Sequence, residues 1–199
     1  MSMGMGLRAE AKQKTRDRLI EAGIELFASE GLDGPSLDAI CEHAGYTRGA
    51  FYVHFKDRDD FLAAVMEEVG RPLLGVLLSD QGDDLDLDRT VNGFVGMVAD
   101  GTYPLSPVGG VKPHQLLDAC ARSERVRKLY VKLTEEAIER VARIARTSQN
   151  RRRVRLDLEA KPLSQILVAL VLGAQIMLEL GVDIDVKELA RTALGVLHR

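Results

Sequence analysis

Tryptophan is absent from the 199 residues, cysteine occurs twice, proline six times, and aromatic residues make up 5%. Each shortage removes a class of protein. Cys41 and Cys120 lie far apart and outside any CxxC spacing, so neither a zinc ribbon nor a secreted disulfide framework is expected, and a reducing, cytoplasmic setting fits. The stretch before Arg8 is short and glycine-bearing and holds no apolar signal core. The longest uninterrupted apolar run, residues 166–174, falls well short of the roughly 20 residues a membrane-spanning helix needs. Residues 163–180 are therefore read as a buried helix, with no membrane partner. Net charge is -3, so any attraction for a polyanion must be local.

Catalytic signatures are missing too. No GxSxG, HExxH, P-loop or GxGxxG pattern occurs in the required context, which points away from an enzyme. His43, His54, His114 and His198 are scattered, and Cys41 and His43 diverge on a helix. The series Asp84-x-Asp86-x-Asp88 has the spacing of a calcium loop. Arg89, however, stands where the tight-turn glycine belongs, and Val95 where the bidentate acid belongs. No metal or cofactor is expected.

What remains is rich in alanine, leucine, glutamate and arginine, lacks alternating β-branched runs, and predicts an all-α chain. Over residues 9–30, Leu19, Ile20, Ile24, Leu26 and Phe27 recur at three- and four-residue spacing until Gly31 stops the helix. Ser36 caps a short helix that ends at Gly45, and Thr47 caps another almost at once. A link of only Gly45 and Tyr46 makes two short helices meet steeply, the geometry of a helix-turn-helix. Asp57 caps a fourth helix toward Leu78. Within it, Gly70-Arg71-Pro72 predicts a kink or break near Val69 with Pro72 as pivot, because proline lacks the N–H and crowds the preceding turn. Residues 80–88 hold five acids and no base and read as a solvated connection. Helices follow over 87–100 and 115–122, then a long stripe through Val126, Leu133, Ala137 and Val141, and the apolar helix over 163–180. Arg151, Arg152, Arg153 and Arg155 read as a solvated loop.

Chemistry concentrates in residues 36–55, SLDAICEHAGYTRGAFYVHF. Arg48 and Tyr52 lie one turn apart and point the same way. Gly49 beside Arg48 lets the backbone approach a surface with no Cβ in the way, as the early positions of a recognition helix do in a major groove. Tyr52 and His54 are suited to donate to phosphate oxygens and fix the register. Lys56 and Arg58 put charge beside the first N–H groups of the fourth helix, an anion site, and Ser36 could act similarly at the second. Arg8, Lys12, Lys14, Arg16 and Arg18 form a basic stretch that could follow a DNA backbone. A plainer reading stays open, in which Tyr52 and His54 are half-buried hairpin residues and the basic stretch is a solvated face. Residues 1–56 carry seven bases against eight acids, with Asp38 and Glu42 near the turn.

Residues 15–66 resemble the DNA-binding domain of TetR/AcrR-type transcriptional regulators. The resemblance rests on Leu26-Phe27-Ala28-Ser29-Glu30-Gly31, on Ile40 and Ala44-Gly45, on Phe51-Tyr52-Val53-His54-Phe55, and on Asp59-Asp60-Phe61-Leu62, in that order. It departs at Arg58, where family members usually carry lysine, and at Tyr46, where they carry a small aliphatic residue. The resemblance implies an N-terminal helix-turn-helix DNA-binding domain over residues 1–56. A C-terminal helical effector-binding and dimerisation domain would span residues 57–199, connected by the helix starting near Asp57. It further implies a cytoplasmic homodimer that regulates transcription, usually as a repressor, and leaves a palindromic double-stranded operator when a small-molecule effector binds.

Ser36, Tyr46, Thr47, Arg48, Gly49, Tyr52, His54, Lys56 and Arg58 are then the candidate DNA contacts. The last two long helices, residues 125–147 and 163–180, opening at Arg125 and Leu163, are the candidate dimer bundle. Alternatively the second of them is simply a monomer's core. Phe94, Met97, Tyr103, His114, Cys120, Tyr130, Gln175 and Met177 offer mixed apolar and polar linings for an effector pocket. An architectural DNA clamp is the remaining alternative, and more than half the chain lies beyond the head, more buried helix than a clamp requires.

Overall fold

The computed structural model describes residues 3–77, 86–99 and 111–198, and every regular element among them is an α-helix. Asp80, Asp83, Asp84 and Tyr103 fall outside these residues. The order is α1 (Met3–Glu30), α2 (Leu37–Ala44), α3 (Arg48–His54), α4 (Arg58–Leu77), α5 (Leu87–Ala99), α6 (Pro113–Arg122), α7 (Glu124–Asn150), α8 (Ala160–Glu179) and α9 (Val186–Leu197). This is the all-α architecture that the composition predicts. α1 begins well before the expected Ala9, and α9 has no counterpart in the sequence-based expectation.

Local signals set the N-terminal boundaries. The Ser36 hydroxyl accepts from Ala39 N–H at 3.1 Å and the Thr47 hydroxyl from Ala50 N–H at 3.3 Å, each satisfying an amide that the first helical turn leaves unpaired. Between them Gly45 takes φ 76°, and the following amide, Tyr46 N–H, reaches back to Cys41 O at 2.8 Å. That left-handed residue closes α2 and turns the chain straight into α3.

Aromatic rings hold this head together. Phe27, Phe51, Phe55 and Phe61 are all nearly inaccessible, and their centroids lie 5.0 to 6.0 Å apart in tilted and edge-on pairs. α1 can lie close on α4 because residue 23 is glycine: a Cβ there would stand 2.5 Å from Phe61 Cζ. Leu116, Ala119 and Cys120 of α6 and Val126 of α7 join the same core. The C-terminal half is therefore packed directly onto the head.

α4 runs through Gly70–Pro72 as one helix, so of the expected kink or break the break is absent. Pro72 forfeits one amide bond, to the Glu68 carbonyl, while packing against α1 and α7 carries the helix past it. The second core gathers Leu74, Leu87, Ile144, Ala145, Leu163, Leu167 and Leu197 from five helices. Ser148, fully buried on α7, accepts from the Leu87 amide at 3.1 Å and so caps α5 from outside its own sequence. Asp86, expected in a solvated connection, instead accepts from Asp88 N–H and pairs with Arg153 at 2.5 Å.

Candidate nucleic-acid interface and cavity

α3 has two faces. Phe51 looks inward with no accessible surface, and Arg48, Gly49, Tyr52 and Val53 look outward, with Tyr52 55% and Val53 61% exposed. A Cβ at Gly49 would meet only the Thr47 hydroxyl, at 3.6 Å, so that part of the helix lies open to an approaching surface. Tyr52 stands edge-on to Phe51, 5.5 Å between centroids, which fixes the base of an otherwise solvent-facing ring. Arg48 reaches back across the turn to Asp38 on α2 in a two-pronged ion pair, one contact being 2.7 Å. Both partners are exposed, so the pair adds little stability and competes with any outside ligand for the guanidinium.

His54 ends α3 beside two α1 cations. Its partial burial, then Lys12 and Arg16, hold the imidazole below its ordinary pKa. Arg16 also lies 5.5 Å over the Phe55 ring. Two members of the basic α1 stretch are thus brought to the end of the outward helix, and Lys56 is exposed nearby.

Arg58 does not share that surface. Its guanidinium donates to Pro35 O at 2.8 Å and Leu32 O at 2.7 Å and lies 5.8 Å over the Phe27 ring. It clamps the link between α1 and α2 instead of waiting for an anion. The start of α4 is likewise occupied, because Asp57 accepts from Asp60 N–H at 2.8 Å and Asp60 from Lys56 N–H at 2.9 Å. Tyr46 is half-buried against the head core, where it braces the turn.

Farther along, a cavity of about 370 Å³ lies where α1, α4, α5, α7, α8 and α9 converge. Its wall joins both cores, taking Phe27 and Leu62 from one and Leu74, Leu87 and Leu167 from the other. Of the candidate lining residues, Phe94 and Tyr130 lie on its wall, whereas Met97, His114, Cys120, Gln175 and Met177 do not. Cys120 is built into the head core, and Gln175 is buried off the wall on α8. Met177 is 46% exposed on the outside of α8. His114 is exposed at the start of α6, where the Glu179 carboxylate takes both its ring nitrogen and its backbone amide. Met97 is half-buried on α5 away from the wall. Burial pushes both thiols, Cys41 and Cys120, above the usual cysteine range, which leaves them poor nucleophiles at neutral pH.

α8 is long and apolar enough to cross a membrane by length and composition, but its inner face packs along α7. α6 meets it as well, near Glu179. On the other side Pro162, Ile166, Ala169, Ile176, Met177 and Leu180 recur at helical spacing, all exposed, with Ile166 at 65% and Leu180 at 75%. No charged residue interrupts the strip. α7 differs: its exposed positions are almost all Arg, Lys or Glu.

Comparison with known proteins points one way. Residues 19–65 match the family model described as bacterial regulatory proteins, tetR family. Over 95 residues the chain is 37% identical to the uncharacterized HTH-type transcriptional regulator TtgW of Pseudomonas putida, an alignment covering 48% of this chain and 67% of TtgW. It is 36% identical over 95 residues to the regulator SrpR of the same species, covering 48% of this chain but only 42% of SrpR. Among solved structures, one described as a SmeT–triclosan complex superposes with a TM-score of 0.64 at 25% identity, over 93% of this chain and 92% of that one.

Proposed function

Because the chain belongs to the TetR family of bacterial transcriptional regulators, which bind DNA and are not enzymes, we propose that it is a homodimeric repressor released from a palindromic operator by an effector in the cavity. The observation that carries this reading is the outward face of α3, braced by buried Phe51 and flanked by Lys12, Arg16 and His54. Set in a major groove, that face turns Arg48 and the Gly49 backbone toward base edges. Tyr52, His54, Lys56 and the cap residues Ser36 and Thr47 face phosphates. Arg48 must first give up Asp38. Arg58 is withdrawn from the contact set, and Tyr46 acts by holding the turn. Residues 1–56 form the reading head and residues 57–199 the effector-binding and dimerising body. The division is one of task rather than packing, since both contribute to the head core.

The two-fold partner sits on the outer strip of α8, because contiguous apolar surface of that kind marks an interaction site. α7 leaves the candidate bundle, as its charged outer positions need no cover and its inner ones are already packed. Two copies then offer α3 twice, in successive major grooves about 34 Å apart or somewhat more. Packed side chains connect the cavity to the head: Phe27 lines the wall, lies 6.0 Å from Phe61, and Phe61 lies 5.3 Å from Phe51 behind α3. An effector that binds the free conformer more tightly than the DNA-bound one shifts the population away from the operator. The SmeT complex with triclosan supports a small-molecule effector, and a cytoplasmic setting follows from the target.

Selection of duplexes from a random pool, mobility shifts on the winners and sedimentation of the free protein test this reading together. The expected results are an enriched inverted repeat and a mass of two chains, with Ile166→Glu yielding single chains that bind the repeat poorly. A pool without enrichment, or single chains at working concentration, would overturn it.

A further inference from the structure

Among the described residues, the wall of the cavity carries no acidic, basic, imidazole or amide side chain; its polar side chains there are Thr90, Tyr130 and Thr134, set among aliphatic residues and Phe27 and Phe94. Both threonine hydroxyl protons are already committed to helix carbonyls, Thr90 to Asp86 O and Thr134 to Tyr130 O, each at 2.9 Å. Their oxygens therefore face a ligand only as acceptors. Helix N-termini at the wall offer an anion nothing either. Leu87 N–H of α5 is held by Ser148 and Asp88 N–H by the Asp86 carboxylate. At α9, the Asp185 carboxylate accepts from Lys187 and Glu188 N–H at 2.9 and 3.1 Å. Among the described residues, an anion entering here would find no cation and two nearby carboxylate caps, and a cation would find no carboxylate on the wall. Either would be desolvated without compensation.

From this we infer that the effector is an uncharged, largely apolar molecule of small-organic size with a hydroxyl or N–H that donates to the threonine oxygens, such as a phenol, alcohol or arylamine. The cavity lies within the size range of such sites, about 300 to 1,000 Å³. Calling this ligand an effector rests on the regulatory reading above, whereas the chemistry of the cavity does not.

The test uses dyes that brighten in apolar surroundings. N-phenyl-1-naphthylamine is neutral and carries one N–H, 1-anilinonaphthalene-8-sulfonate adds a sulfonate to the same skeleton, and ethidium supplies an aromatic cation. Titrated into the full-length protein without DNA, the neutral dye should bind once per chain and at least about 30-fold more tightly than either charged dye. No uptake of the neutral dye, or a charged dye bound as tightly, overturns the inference. Location is checked with Ala137→Trp, which fills the cavity from α7 and should abolish uptake while the helical circular-dichroism signal persists; unchanged uptake in this variant also overturns it. If Ala137→Trp does not fold by circular dichroism, Ala193→Trp on the α9 wall replaces it. Operator binding by the dye-free protein separates the two readings. A chain that takes up the neutral dye but binds no duplex keeps the cavity chemistry and loses the regulator. A chain that binds duplex and admits only charged dyes does the reverse.

Discussion

The head and the body of this chain are built by opposite means. In the head, four interlocking phenylalanines and two side-chain caps leave each residue a single place, and function depends on what projects from that rigid base. The body is made of interchangeable aliphatic residues, and its proposed function depends on what they leave unfilled, a cavity and an uncovered strip on α8. A reader of DNA must present fixed atoms, and a sensor must keep space. The widest test of this contrast removes one large side chain from each. Phe51→Ala should cost about 3 to 5 kcal/mol, because it empties the centre of a closed aromatic cluster. Leu172→Ala enlarges space that already exists and should cost only about 1 to 2 kcal/mol. At about 2 to 4 °C per kcal/mol for a chain of this size, thermal unfolding followed by circular dichroism separates them. Equal losses would mean that the cavity wall is as tightly packed as the head.

Next come two cations close in sequence and opposite in task. Arg58→Ala strips two backbone carbonyls of their donor and should lower stability by about 2 kcal/mol, with the salt dependence of operator binding unchanged. Lys56→Ala should leave unfolding alone and reduce the slope of log affinity against log salt by about 1. If Arg58→Ala changes the slope instead, the guanidinium reaches DNA and the clamp is not its main role.

On the outward face itself, Arg48→Ala and Tyr52→Ala should each weaken operator binding about 10-fold with thermal stability nearly intact. Arg48→Ala should also relax base preference, whereas Tyr52→Ala should act evenly across sequences. Asp38→Asn frees Arg48 and is expected to raise affinity a few-fold. Mobility-shift titrations on the selected operator and on single-base variants check all three, and wild-type affinity in the first two would remove α3 from the interface.

The same contrast governs how much can be read from sequence. Ser36, Gly45 and Thr47 announce their helix boundaries because caps and left-handed turns are one-residue decisions, enforced by backbone amides within three positions. The α9 signal is equally local, with Asp185 as cap and Leu189, Ala190, Ala193, Leu194 and Leu197 at helical spacing, but it follows a more conspicuous apolar helix and is easily passed over. Arg58 misleads because exposed cations are common at helix starts; nothing nearby in sequence reveals that Leu32 O and Pro35 O converge on it. Among the described candidates, Phe94 and Tyr130 lie on the cavity wall. A search for mixed polarity leads to Cys120, His114, Gln175 and Met177, whereas the cavity wall is mostly aliphatic and looks like any core until the helices are placed in space.

The smallest expected effect lies at His54, where the two regions of charge meet. In the free protein, partial burial and the facing cations Lys12 and Arg16 disfavour the imidazolium. The neutral form is thus preferred on folding, and its contribution to stability is complete above the ordinary histidine pKa of about 6.5 and fades as pH falls below it. A phosphate at the same edge reverses the local field and favours the proton, so operator binding should draw a proton in. Affinity should therefore rise a few-fold between about pH 7.5 and pH 6, while thermal stability drifts the other way. His54→Gln keeps a donor but cannot titrate, and should flatten the first trend relative to wild type. Were the variant to retain the full pH dependence, His54 would belong to the packing of the head and not to its DNA-facing edge.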